Sequence, residues 1–203
     1  MDGLEPRAAA PRIRTLLLLP ALLLGACTEV TWWDAQGSWT GGVILPGEAP
    51  TQRTATVSDP TAGPTEDRIR LCELSTIQLG LTFVPIQRDR PAAIEIRTGR
   101  PLCQEGRTQI TGGTVLIWSA SGADPNVLAA VRSDAWTVTG ELEVASYLTQ
   151  GVPDLDAGET ANSERVEGTF SLTATDRSGS VIRIDGGTFQ VTVVASRVKL
   201  SIS

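Results

Sequence analysis

Along almost the whole chain after residue 27, apolar residues recur at every second position, and this period of two constrains the fold more than any other feature of the sequence. Ile77, Leu79, Leu81 and Phe83 alternate with Gln78, Gly80 and Thr82, which puts one apolar and one polar face on an extended strand. Trp136, Val138, Leu142 and Val144 keep one parity across Gly140, and Phe189, Val191 and Val193 lead to a last run of Val198, Leu200 and Ile202. Shorter pairs do the same between turn signals such as Ser178-Gly179 and Gly186-Gly187: Ile69 with Leu71, Ile94 with Ile96, Val115 with Ile117, Phe170 with Leu172, and Ile182 with Ile184. About nine or ten strands at this spacing predict an all-β chain, a single antiparallel sandwich or barrel. One stretch reads as helix, Asp124 to Arg132, with Asp124 at the N-cap, Pro125 at the first helical position, and Val127, Ala130 and Val131 on one side.

Two stretches break the alternation. Residues 47–67 are rich in Pro and Thr and predict an irregular loop or an exposed edge, and Gln150 to Glu164 is acidic and turn-rich. Neither is long enough to force a second domain, and 203 residues suit one core.

The N-terminus reads as a targeting segment. Arg7, Arg12 and Arg14 precede an apolar run of twelve residues, Thr15 to Ala26, short of the roughly 20 that span a bilayer. Leu24-Gly25-Ala26-Cys27 then resembles the lipobox of bacterial lipoproteins, in which a Leu and two small residues precede the cysteine to be modified. The resemblance implies a signal peptide over residues 1–26, a lipid on Cys27 and a mature domain over 27–203 held at a membrane of the cell envelope. Thr28, in place of Asp after the cysteine, points to the outer membrane under the sorting rule of enteric bacteria. Two or three acyl chains bury enough methylenes to make attachment effectively permanent. Removing residues 1–26 takes away three Arg, one Asp and one Glu, so the remainder is more acidic than the whole chain's net charge of −6 and is expected to stand off an anionic membrane.

With Cys27 given to lipid, Cys72 and Cys103 remain. An exported chain meets an oxidising compartment, so they are expected to pair; two buried small hydrophobes, or one reactive thiol, are the alternatives.

Catalytic chemistry has little to work with. The chain has no histidine and a single lysine, Lys199, so nucleophile–base pairs built on those residues cannot be assembled. A carboxylate hydrolase needs two acidic residues, but no pair stands out. Asp154, Asp156 and Glu159 alternate near a glycine as calcium ligands can, although a solvated acidic loop explains them as well. No run of Lys or Arg offers a track for a phosphate backbone, which argues against nucleic acid. No metal and no cofactor beyond the lipid is expected.

Two further motifs carry resemblances. Gly168-Thr169-Phe170 and Gly187-Thr188-Phe189 lie nineteen residues apart, a strand, a turn and a strand. The block from Val166 to Val193 resembles the C-terminal part of a group of uncharacterised β-rich envelope lipoproteins with paired Gly-Thr-Phe strands, which implies a β-sandwich type and no activity. "GSWTGGV", residues 37–43, resembles the Gly-x-Trp of lipocalins, small ligand-binding barrels; Trp32, Trp33 and Trp39 read equally as core or anchor residues. The expected role is non-catalytic, binding or structural, with a membrane and another envelope protein or a polysaccharide as partners. A barrel carrying an apolar ligand is the alternative and a carboxylate hydrolase the third, the first requiring an enclosed cavity and the second two carboxylates across an open groove.

Overall fold

The computed structural model describes residues 28–58, 68–81, 87–121, 124–151 and 153–200. They form nine strands: β1 (Thr28–Ile44), β2 (Thr51–Ser58), β3 (Thr76–Gly80), β4 (Pro91–Thr98), β5 (Gly106–Ser121), β6 (Asp124–Ser133), β7 (Trp136–Thr149), β8 (Thr160–Asp176) and β9 (Val181–Leu200). Every pairing is antiparallel, in the order β4-β3-β2-β1-β9-β8-β7-β5-β6, and a further β4–β5 pairing closes the sheet into a ring. The all-β expectation holds. The last three apolar runs of the sequence prove to be pieces of one longer element, since β9 alone carries Ile182 through Leu200; Ile202, like Phe83, lies outside the described residues.

Alternation decides the inside. On β1 the odd-numbered Trp33, Ala35, Trp39 and Val43 are buried, and on β9 so are Ile182, Ile184, Phe189, Val191, Val193 and Ala195. The parity switches between Ile184 and Phe189 because Gly186, at φ 58°, takes part in a register shift against both β1 and β8. Such a bulge adds one residue, restores the apolar side chains to the inner face and bends the strand, as closure of a ring demands.

The paired triplets lie opposite one another. Gly168 faces Phe189, Thr169 faces Thr188, and Phe170 faces Gly187. A Cβ on Gly168 would stand 2.7 Å from Phe189 Cε1, and one on Gly187 would stand 2.5 Å from Phe170 Cε1, so each glycine makes room for the ring of the facing strand. Trp39 meets Phe170 edge-on at 5.6 Å between centroids, and Phe170 meets Phe189 at 6.3 Å. The Trp39 indole Nε1 donates to Gly80 O at 3.0 Å, tying β1 to β3 across β2. These rings pack together inside the closed sheet.

Three expectations are corrected. Asp124–Ser133 is a strand and not a helix, because pairing of Leu128–Ser133 with Val115–Ala120 satisfies its backbone and overrides the local capping signal. Pro125 lies where the register shifts and no ladder N–H is needed. Within 47–67, Thr51–Ser58 is strand β2, its β-branched Thr51, Thr54, Thr56 and Val57 suiting a pleated surface; residues 59–67 lie outside the described residues. Ile69 and Leu71 do not form a strand either: Leu71 opens the turn Leu71–Glu73, closed by Leu74 N–H to Leu71 O at 3.2 Å.

Candidate functional site

The end of the ring that carries Thr28 gathers most of the unusual features. Thr28 pairs with Leu200, Thr160 with Ser196, Thr149 with Glu164, and Thr76 with Arg97. The β2–β3, β4–β5 and β7–β8 connections therefore all lie at this end. Each inserts one leucine into the core: Leu71, Leu102 and Leu155 are 0%, 1% and 4% exposed. Three loop-borne leucines stopper one mouth of the barrel, which is why residues outside the alternating runs are buried.

Cys72 and Cys103 follow two of these leucines and are joined by a disulfide, with Cα atoms 4.8 Å apart. The bond links the β2–β3 strap to the β4–β5 turn. Cys72 is exposed while Leu71 beside it is fully buried, so the covalent tie sits on the outside of the stopper.

Beneath the strap lies a buried polar group on the apolar face of β8. Glu164, buried on β8, accepts the Leu71 N–H at 2.7 Å through Oε2. Its Oε1 stands 4.0 Å from Arg68 Nη2, and the Arg68 guanidinium lies over the Trp33 ring at 5.6 Å. A buried carboxylate needs such partners, since an isolated one is strongly disfavoured. Arg68 Nε is itself buried without a hydrogen-bond partner. Tyr147 is pushed above the usual phenol range by burial first, and then by the charge and hydrogen bond of Glu164. Glu164 has the same parity as the buried Val166, Phe170, Leu172 and Ala174 of β8, so the alternation of the strand itself turns this carboxylate inward. That parity was the signal in the sequence, masked by an acidic residue standing on an apolar face.

Of the remaining sequence candidates, Cys27 lies outside the described residues, next to Thr28. Asp154, Asp156 and Glu159 are exposed; the Glu159 carboxylate accepts the Asp156 N–H at 3.1 Å and closes the loop on itself. Among the described residues no group of three or more His, Cys, Asp or Glu side chains could hold a metal ion. Trp33 and Trp39 are core residues and Trp32 is half-buried. Glu95 and Asp134 line one open groove of about 340 Å³, but both oxygens of Glu95 are engaged by Arg132, at 2.9 and 3.2 Å.

Comparisons with protein-family models, with curated proteins and with solved structures give no match.

Proposed function

We propose that the chain is a lipid-anchored envelope protein, acylated on Cys27, whose barrel acts by binding or by supporting structure and not by catalysis. The observation that carries the reading is the position of Thr28. This residue already stands in the ladder opposite Leu200, so an acyl group on its neighbour would be attached to the rim of a rigid ring with no intervening tether. The stoppered mouth would then face the membrane, and the barrel wall and the opposite end would be presented to partners. The apolar leader and the Leu-Gly-Ala-Cys motif supply the chemistry of the attachment.

A ligand-carrying barrel is favoured by the closed ring of strands. It is opposed by the interior, where Trp39, Phe170 and Phe189 pack against one another in the space a ligand would need. A hydrolase built on Glu95 and Asp134 would first have to release Glu95 from Arg132.

Intact mass of the membrane-extracted protein, with and without reduction and beside a Cys27→Ala variant, tests the reading. The expected species begins at Cys27, carries acyl additions and gains two protons on reduction, while the variant leaves the membrane fraction. An unacylated chain in the soluble fraction would overturn it.

A further inference from the structure

Two open grooves adjoin on the outer wall of the ring. They measure about 550 and about 380 Å³ and share Ser38 and Gln190. Strands β1 and β9 form their common floor, and the antiparallel register sets outward side chains of neighbouring strands directly opposite one another. Thr54, Thr40, Thr188 and Thr169 make one row across β2, β1, β9 and β8. Thr56, Ser38, Gln190 and Glu167 make the next, and Gln36 faces Thr192 in the row beyond. Strand spacing places neighbours in a row about 5 Å apart and successive rows about 7 Å apart.

The centre of this wall is uncharged. Residues 36–40, 54–58 and 188–192 contain no charged side chain, although 20% of the whole chain is charged and its net charge is −6. Hydroxyls and carboxamides face outward instead. Thr40 and Thr54 are hydrogen-bonded through their hydroxyls at 2.8 Å, and Thr188 Oγ1 donates to Thr40 O at 3.5 Å. Charge stands at two edges of the platform: Asp34 lines the larger groove beyond Gln36, and Glu167, which lines the smaller one, pairs with Arg165, which reaches Gln190 Oε1 at 3.3 Å.

A regular array of groups that both donate and accept hydrogen bonds, flanked by carboxylates that accept them, matches the hydroxyls of a sugar chain. A polyanion would need Arg or Lys along the groove, and none lines either one. An apolar peptide would need apolar outward side chains, and the rows supply Thr, Ser and Gln. We infer that the outer wall of β2, β1 and β9 is a docking platform for a neutral polysaccharide, held by hydrogen bonds from Ser38, Gln36 and Gln190. The inference rests on the envelope reading for where such a polymer is met, and on the register for the site itself.

Affinity electrophoresis of the full chain in detergent micelles, through gels containing hydroxyethylcellulose, dextran or a neutral mannan, tests it. An alginate gel serves as the anionic control. The expected result is retardation by at least one neutral polymer that persists in high salt, weakened about 5-fold by each of Gln36→Ala and Gln190→Ala, the loss of one net hydrogen bond. Gln109→Ala, on the outer face of β5, should bind as the parent does. Normal migration in all three neutral gels overturns the platform, as does retardation that salt abolishes or that the two variants leave unchanged. Cys72–Cys103 oxidation and far-UV dichroism of each variant separate lost binding from lost fold. Membrane partitioning of the same preparations reads the anchor independently: a membrane-bound chain that ignores every glycan sinks the platform alone, and an unacylated chain that binds sinks the anchor alone.

Discussion

Gly187 and the Phe170 ring occupy neighbouring space so closely that only a hydrogen fits between them. The three atoms nearest a methyl at Gly187 all belong to the Phe170 ring, so the main cost is repulsion that a smaller partner can relieve. Gly187→Ala is expected to destabilise the fold by about 1–3 kcal/mol. Phe170→Leu on its own should cost through lost packing, yet combining the two should be less damaging than their sum. A double-mutant cycle from urea unfolding measures this, and strict additivity would refute the reciprocal fit. Tyr147 offers a second reading at this scale, because it is the chain's single tyrosine and phenolate absorbance therefore reports it alone. Burial, and then Glu164, hold it protonated beyond the usual range. Its folded pKa lies above its unfolded one, so its contribution to stability is present below the unfolded value and is lost as pH rises through the folded value. The titration midpoint is expected to be higher in the native than in the denatured protein, and Glu164→Gln is expected to bring the native midpoint down.

Among the elements, the strap 68–75 is held by means different from those that hold the strands. Its fixed points are the disulfide, the Leu71 N–H on Glu164, and the Ser75 carbonyl, which accepts the Thr98 N–H at 2.9 Å. Strands β8 and β9 are bonded along nearly their whole length. Reduction of the exposed bond is expected to speed amide exchange at Leu71 and Leu74 by tenfold or more, roughly the effect of losing part of a loop constraint, while Val166 and Val191 change little. Equal acceleration everywhere would make the bond a global staple and not a local tie. The strap also marks the boundary of what could be read from sequence. The alternation of Ile77, Val138 or Val191 revealed each strand and its inner face, because period two is a property of neighbouring residues. It carries no information on which strands meet, so the closure of the sheet into a ring emerges only from the β4–β5 pairing. Asp124-Pro125 followed by Val, Leu and Ala imitated a helix start, and only the hairpin with β5 overrode it. Leu71, Leu102 and Leu155 lie outside any periodic run. For those residues, position in the fold and not local pattern sets the environment. The outer wall was spelled out in the sequence as alternate Thr, Ser and Gln, but its continuity depends on the register between β1, β2 and β9.

On the scale of the molecule, the ring has one seam that differs from the rest. Most neighbouring strands are close in sequence, whereas β1 and β9 are the first and the last, and their ladder runs from Thr28 opposite Leu200 to Ile44 opposite Arg183. The Trp39–Phe170–Phe189 cluster sits on this seam, so the largest side chains of the core come together only when both ends of the chain do. Local hairpins such as β8–β9 close over a few residues, but the seam must bring together segments more than a hundred residues apart. β1 is made first and must wait through the synthesis of every other strand before its partner exists. Its Trp33, Ala35, Trp39 and Val43 face stays open to water or to other chains for all that time. The order of synthesis thus leaves the newborn chain most vulnerable at β1, and release from that vulnerability arrives only with β9.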